Sequence, residues 1–341
     1  MPDQRDKAPR AALCEPSPSP HRAPHRTACH LPHAIVQPVD DDPHITMAGG
    51  YGLDQLERAI RDLQPIMAPR EPENLLVDLG GLAYIGPAAL ALLAAVLKRR
   101  EEEGCSCVVI PPRSPLTRHY LQRMDFTKLL FEVEIPEPFE RKKAVGFRPV
   151  QHFRGDEDYW LAAKELTEAL VERFKPEPVV KAAIRICLDE IAENVVHHAY
   201  TDLGGFAVAQ SSRKRRTFEI GIVDLGVGVP ASLARNPTYA HISTDMAAVA
   251  TALQPRVSST PERNAGIGLY ITKLLLRSNG GQLLVRSGHA AVCRGADETE
   301  EEREIHFPGT IVALRAHTDA PLDIDQVYRE LDEHDELHND D

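Results

Sequence analysis

Three short segments in the second half of the chain constrain its fold more than any other feature. In chain order they read LDEIAENVVHHAY (residues 188–200), VDLGVGVP (223–230) and NAGIGLY (264–270). The first lies in a stretch free of glycine and proline whose apolar residues recur at helical spacing. The second ends a strand of alternating apolar residues, and the third leads into an apolar helix. The order therefore predicts a helix, a strand ending in a glycine turn, and a glycine turn that opens another helix.

The predicted helix carries a polar stripe. Glu190, Asn194 and His198 are spaced four residues apart, so they lie on one face. An unpaired polar group in a core costs about 1–3 kcal/mol, so the stripe is expected to line a ligand cavity. The amide oxygen of Asn194 suits Mg²⁺, and Glu190 could deprotonate a water or hydroxyl. The alternative is the wet face of an amphipathic surface helix.

The two glycine turns suggest complementary binding groups. Asp224 ends a strand beside Gly226 and Gly228, where a carboxylate can accept a hydrogen bond from an exocyclic amine such as that of adenine. A plain Asp-Gly surface turn is the alternative. Gly266 and Gly268 precede a helix, whose N-terminus is a good anion seat. The spacing matches neither the dinucleotide fingerprint nor the P-loop.

The order E-x-x-x-N, D-x-G-x-G and N-x-G-x-G-L resembles the GHKL superfamily of ATP-binding domains. This superfamily includes gyrase B, the ATP domains of histidine kinases and the anti-sigma-factor serine kinases. The resemblance covers residues 150–316, and it includes a Gly-Gly pair at 280–281 and a Pro-Gly-Thr at 308–310, each placed before a strand. It implies a GHKL α/β sandwich over residues 151–317.

The resemblance also implies roles for individual residues. Glu190 would be the general base, Asn194 the Mg²⁺ ligand and Asp224 the acceptor for the adenine amine. The other residues that it implies in the ATP pocket are His198, Gly226, Gly228, Asn264, Gly266, Gly268, Leu269 and Thr310. Anti-sigma-type members have His-Gly after the asparagine, and here Ala199 replaces that glycine.

Residues 229–263 correspond to the lid that covers ATP in this superfamily. The segment is rich in proline, serine and threonine, as expected of a loop-like cover. Arg256 and Arg263 are candidate phosphate contacts, with ordinary solvated arginines as the alternative.

The first half of the chain alternates predicted strands and helices, which indicates an open sheet with helices packed on it. The predicted strands are 74–80 and 106–110, and the predicted helices are 87–103 and 114–124. This pattern resembles the STAS domain of anti-sigma antagonists over residues 43–136. That family phosphorylates a serine in the turn before its helix, but the turn at 85–89 reads Ile-Gly-Pro-Ala-Ala. We therefore expect a docking or scaffolding module rather than a phospho-switch.

Length and composition set the wider organisation. The 341 residues predict two domains of an α/β (α+β) protein. We expect a disordered tail at 1–42, where large apolar residues are few, and a linker at 137–150. A solvated acidic tail is expected at 318–341, with one short helix near its start. The acidic cluster at 297–304 is interpreted as a loop between two strands.

The same composition excludes several function classes. The net charge is −12, and the only basic cluster, residues 213–216, fits a hairpin turn, so nucleic-acid binding is disfavoured. No apolar run is long enough for a membrane span, and no signal peptide is evident. The six cysteines lack metal-site spacing and are typical of reduced thiols. We therefore expect a cytoplasmic protein that does not bind membranes.

Three functions remain open for an ATP-dependent protein of this kind. The first is a serine/threonine protein kinase of the anti-sigma-factor type, acting on a partner such as a STAS-domain or sigma-regulatory protein. The second is a slow ATPase that works as a conformational switch, for which ATP-dependent homodimerisation would be supporting evidence. The third is a non-catalytic ATP sensor.

Overall fold

The computed structural model describes residues 43–68, 74–131, 145–258, 266–325 and 327–330. The strands are β1 (His44–Thr46), β2 (Gly49–Tyr51), β3 (Asn74–Asp78), β4 (Leu82–Ile85), β5 (Ser106–Ile110), β6 (Phe147–Phe153), β7 (Gly205–Ser212), β8 (Thr217–Asp224), β9 (Gln282–Gly295) and β10 (Thr299–His317). The helices are α1 (Leu56–Met67), α2 (Pro87–Glu102), α3 (Pro115–Arg123), α4 (Phe126–Phe131), α5 (Asp156–Phe174), α6 (Pro178–His198), α7 (Gly228–Leu233), α8 (Asp245–Ala252) and α9 (Gly268–Ser278). This mixture confirms the predicted α/β (α+β) class.

A five-stranded antiparallel sheet organises the second half of the chain, with strand order β6-β7-β8-β10-β9. Side chains alternate between its two faces, as the period of a strand requires. Ile220 and Ile222 pack with α5, α6 and α9 on what we call the front face. Val208 and Val223 pack with α2 on the opposite side, the back face. The sheet is therefore covered on both sides.

Residues 43–68 and 74–131, which we call the N-terminal layer, cover the back face. The layer contains a parallel sheet of order β1-β3-β5 and a parallel pair, β2 and β4. The layer thus combines parallel strands with helices. Its helix α2 contacts β7, β8 and β10 of the large sheet as well as α1, α4 and β5 of its own layer. Every residue of α2 from 87 to 97 is buried, as expected of a helix that is apolar all round.

The contact between α2 and β8 depends on Gly221. A Cβ atom at this position would lie 2.4 Å from the Cα of Ala88 and 2.8 Å from the carbonyl carbon of Pro87. Real Cβ atoms do not approach backbone this closely, so only glycine allows the helix to begin here. The turn at 85–89, which lacks the serine of the STAS pattern, thus opens a helix packed directly on the large sheet.

Most predicted elements lie where the sequence placed them. The predicted helix with the polar stripe is α6, the strand ending at Asp224 is β8, and the apolar helix after the third segment is α9. The basic cluster at 213–216 forms the exposed turn between β7 and β8, as expected. One interpretation is wrong: residues 299–304 of the acidic cluster are part of β10, and residues 299–302 pair with the end of β9 rather than forming a loop.

The domain boundaries remain predictions. The described residues belong to one compact unit, Asp40–Asp341, in which both halves share a hydrophobic core. The predicted tail at 1–42, residues 137–144 of the predicted linker and residues 331–341 of the acidic tail lie outside the described residues. The rest of the predicted linker mostly belongs to β6, which pairs with β7. Among the described helices, none combines the length and the hydropathy that crossing a membrane requires.

Candidate functional site

A cavity of about 880 Å³, including its open mouth, lies between the front face of the sheet and helices α6 to α9. Nine residues proposed from the sequence line the cavity: Glu190, Asn194, His198, Asp224, Gly228, Gly266, Gly268, Leu269 and Thr310. The structure therefore brings together residues from all three sequence segments and Thr310 of the Pro-Gly-Thr sequence, which lies within β10 rather than before a strand.

Two of the proposed residues are not among those lining it. Gly226 lies beside the cavity, where it packs against the end of α6. A Cβ atom at Gly226 would lie 2.0 Å from the carbonyl oxygen of Ala199, which also accepts a hydrogen bond from the Val227 N–H at 2.8 Å. Gly226 therefore allows the turn after β8 to approach the helix. Asn264 lies outside the described residues.

The polar stripe of α6 faces the cavity along its length. Glu190, Asn194 and His198 are each partly buried, and all three line the cavity together with Ile191 and Val195. The helix runs without interruption through these positions because it contains no glycine, and its only proline is at its first residue. The stripe is therefore part of a cavity wall, as the polar spacing predicted.

The carboxylate of Glu190 occupies the N-terminus of α9. Its Oε2 accepts hydrogen bonds from the Gly268 N–H at 2.7 Å and from the Ile267 N–H at 3.2 Å. Burial raises the pKa of Glu190, and these two hydrogen bonds oppose that rise. The amides that the sequence suggested as an anion seat thus hold an anion already, and that anion is the candidate base itself.

Glycine at two positions brings this wall together. A Cβ atom at Gly268 would lie 2.7 Å from the Cβ of Glu190, so a larger residue would push α6 and α9 apart. Gly266 has a positive φ of 66°, and a Cβ there would meet the carbonyl oxygen of Val257 at 2.4 Å. The spacing Gly-x-Gly therefore serves both a left-handed backbone and a close helix contact.

Asp224 lies on the opposite side of the site, at the end of β8. Its side chain is only 3% exposed, and burial raises its pKa to about 6. Its carboxylate accepts hydrogen bonds from the Gly226 N–H at 2.8 Å and from the backbone and hydroxyl of Thr310. A carboxylate has about four acceptor positions, so capacity remains for a donor in the cavity.

Ser287 on β9 was missed by the sequence analysis, although it connects the first turn of α7 to β10. Its hydroxyl donates to the carbonyl oxygen of Gly309 at 2.8 Å and accepts from the Val229 N–H at 2.9 Å. A Cβ at Gly228 would lie 2.6 Å from this hydroxyl. A lone serine inside an apolar strand gives no sequence signal of such a role.

The predicted lid forms part of the cavity wall. Within its described part, α7, α8 and the residues after α8 contribute Leu233, Ala252, Val257 and Ser258 to the lining. Arg256 is exposed and is not a lining residue. Arg263, the other candidate phosphate contact, lies outside the described residues.

The lining of the cavity suits a metal ion that shares its ligands with a bound molecule better than a metal ion caged by protein side chains alone. Among the described residues, no group of three or more His, Cys, Asp and Glu side chains could hold a metal. Mg²⁺ needs few protein ligands when substrate phosphates and water supply the others. The oxygens of Asn194 and Glu190, one helical turn apart beside the α9 amides, are the groups that fit such an ion.

Comparisons with known proteins add no relative. No protein-family model, curated protein sequence or solved structure matches the chain.

Proposed function

We propose that this protein binds ATP with Mg²⁺ in the front-face cavity and acts as a regulatory serine/threonine kinase on a partner protein. One observation carries the proposal. A buried carboxylate at the end of β8, the glycine-flanked N-terminus of α9 and the polar stripe of α6 all line a single cavity. Each group suits a different part of ATP, and the order of the motifs resembles that of the GHKL superfamily.

The adenine would lie at the β8 end of the cavity. Asp224 and Thr310 supply polar groups there, and Val229, Leu233 and Val312 supply apolar walls for a flat ring. The remaining acceptor capacity of Asp224 fits the amino group of adenine. Because a buried carboxylate is costly without donors, this position favours a base that donates over one that only accepts.

The phosphates would lie at the N-terminus of α9, where main-chain amides and the helix dipole favour an anion. Glu190 holds two of those amides in this structure. A phosphate that takes over these amides releases the Glu190 carboxylate, since two anions cannot share them. Asn194, one turn further along α6, would then help hold Mg²⁺, which neutralises charge on the phosphates.

The released Glu190 carboxylate is the base in the proposed phosphoryl transfer. Glu190 accepts the proton of a serine or threonine hydroxyl on the partner. The hydroxyl oxygen forms a bond to the γ-phosphorus as the bond from that phosphorus to the bridging oxygen of ADP breaks. The chain's own turn at 85–89 has no hydroxyl, so the acceptor is proposed to be a separate protein, of the STAS-domain or sigma-regulatory kind.

The engaged state of Glu190 also favours a second candidate, an ATP-driven conformational switch with slow hydrolysis. Release of Glu190 from α9 would change the contact between two helices even if no partner is phosphorylated. In that case ATP would alter a protein interface, and dimerisation that depends on ATP would be the expected sign. A pure sensor would show the same binding without any hydrolysis.

Incubation with γ-labelled ATP and Mg²⁺ separates these candidates. The protein is tested alone and with host lysate, beside Glu190→Ala and a matched control, Glu193→Ala, which lies on the same helix but does not line the cavity. A labelled lysate protein that is lost with Glu190→Ala and kept with Glu193→Ala supports the kinase.

Other outcomes redirect or end the proposal. Free phosphate without a labelled protein favours the switch, and ATP binding without turnover favours the sensor. If calorimetry detects no binding of Mg-ATP to the wild-type chain, the whole proposal is wrong.

A further inference from the structure

A fully buried arginine connects the N-terminal layer to the strand beside the cavity. Arg286 on β9 has no exposed surface. Its Nε donates to Glu57 of α1 at 2.7 Å, and its two amino groups donate to the carbonyl oxygens of Gly288, Ala290 and Ile305. Each of its three nitrogens therefore has an acceptor, and three of the four acceptors are backbone carbonyls of β9 and β10.

Glu57 is the main counter-charge of this arginine. Burial lowers the pKa of Arg286, and the nearby carboxylate of Glu57 opposes that shift. Glu57 also lies 3.7 Å from Arg303, a second cation on β10. Removing one partner of a buried ion pair leaves an uncompensated charge, which is strongly unfavourable. The position of the arginine thus depends on a residue of the other half of the chain.

The backbone that Arg286 holds is an irregular part of the sheet. The register between β9 and β10 shifts near Phe307, which pairs with Gly288, and again before Thr310, which pairs with Ser287. Irregular ladders lack some of the hydrogen bonds that fix a regular one. The arginine supplies hydrogen bonds to carbonyl oxygens of both strands at this irregularity, Gly288 and Ala290 on β9 and Ile305 on β10.

The next residue, Ser287, contacts two segments beside the cavity, the start of α7 and the middle of β10. Its hydroxyl joins Val229 to Gly309, and Val229 lines the cavity while Gly309 precedes Thr310. A shift of Ser287 would therefore move both the start of α7 and the part of β10 whose Thr310 hydrogen-bonds Asp224. Glu57 is therefore connected to the cavity through its ion pair with Arg286, the peptide unit between Arg286 and Ser287, and the Ser287 hydroxyl.

We propose that Glu57, Arg286 and Ser287 are positioning residues of the nucleotide site, so that the N-terminal layer is a working part of that site. The inference rests on the proposed binding of Mg-ATP, which it deepens. The carboxylate of Glu57 holds Arg286, which holds the backbone around the irregularity. That backbone places the Ser287 hydroxyl between Val229 of α7 and Gly309 of β10.

The test uses the full chain and three variants. Glu57→Gln removes the charge but keeps a similar shape, and Ser287→Ala removes the hydroxyl. Asp54→Asn is the matched control, because Asp54 also joins the N-terminal layer to the large sheet through an ion pair, 3.0 Å from Arg315, but does not contact Arg286. Mg-ATP binding is measured by calorimetry, and thermal unfolding shows that each variant is folded.

We expect at least a tenfold weaker binding for Glu57→Gln and for Ser287→Ala, and less than a twofold change for Asp54→Asn. Wild-type affinity in Glu57→Gln would overturn the inference. An equal loss in Asp54→Asn would also overturn it, since general loosening of the layer would then suffice.

A second readout keeps this inference separate from the proposed function. The Val229 N–H is hydrogen-bonded to the Ser287 hydroxyl, so its exchange with deuterium reports on the position of Ser287 without any nucleotide. Ser287→Ala and Glu57→Gln should both speed exchange at Val229, and Asp54→Asn should not. If wild type fails to bind Mg-ATP while Val229 responds in this way, the function is wrong but the mechanical link stands. If Val229 does not respond to Glu57→Gln, the link itself is wrong.

Discussion

The two faces of the large sheet are covered in different ways, although both carry buried apolar side chains. On the back face, α2 lies directly on β8 with Gly221 against Ala88, and no side chain separates the two backbones. On the front face, α6 and α9 meet through a carboxylate and two amides, and a cavity remains between these helices and the sheet. The back face is therefore closely packed, and the front face contains a cavity.

The difference shows what each face requires of its sequence. A sealed face needs small residues where backbones touch, and α2 supplies alanines through most of its buried length. An open face needs polar groups that hold two helices at a set distance. Glu190 fulfils this need by capping α9, so the same residue serves structure and proposed chemistry.

The largest expected effect comes from closing the gap that Gly221 leaves for α2. Gly221→Ala places a Cβ against helix backbone, which cannot rotate away, so we expect a loss of about 3 kcal/mol in the free energy of unfolding. Denaturant titration measures it. Gly50→Ala is the control, because a Cβ at Gly50 meets nothing within 4 Å. Equal stability of the two variants would show that the back face is not sealed at this point.

A slightly smaller effect is expected on the front face, where Asp224 is buried at a cost to stability. Because its pKa is raised from 3.8 to about 6, its protonation stabilises the folded state fully below pH 4, and this contribution is lost as the pH rises through 6. Asp224→Asn should therefore gain stability above pH 7, by roughly 2–3 kcal/mol, and gain little at pH 4.

Thermal unfolding of this variant as a function of pH provides the measurement. The variant should also bind Mg-ATP more weakly, which would link the cost of the carboxylate to its proposed use. A uniform stability change across the pH range would contradict the burial argument, because Asp224 would then not be the group that titrates.

The smallest effect is expected where the two halves of the chain meet at the surface. Glu102 at the end of α2 pairs with Arg154 after β6, and both side chains are substantially exposed. Solvent screens such pairs, so Glu102→Gln should change the free energy of unfolding by less than about 0.5 kcal/mol. Denaturant midpoints test this. A large loss would mean that surface charges, and not the sealed back face, hold the layers together.

The sequence predicted local features of this fold well. The bounds of α2 follow from Pro87 at its start and Gly104 after its end, and the stripe of α6 follows from helical spacing alone. The cavity lining was also predicted in large part, because the motif order implied which turns would meet. These features depend on neighbours in the chain or on a recurring pattern.

What the sequence did not reveal depends on distant contacts. The packing of α2 on Gly221, the capping of α9 by Glu190 and the link from Glu57 to Arg286 each join residues far apart in the chain. The acidic residues at 299–304 were interpreted as a loop because charge usually marks one. They form a strand because β9 offers a partner, and their side chains are mostly exposed.

The shared back face has a practical consequence for dissecting this protein into fragments. A fragment lacking residues 43–131 would expose the apolar side chains of Phe206, Val208, Val223 and Ile311, which are fully buried in the whole chain. Such a surface promotes aggregation. If that fragment were inactive, aggregation would be a sufficient explanation. Point substitutions in the intact chain are therefore the better way to determine the function of either half.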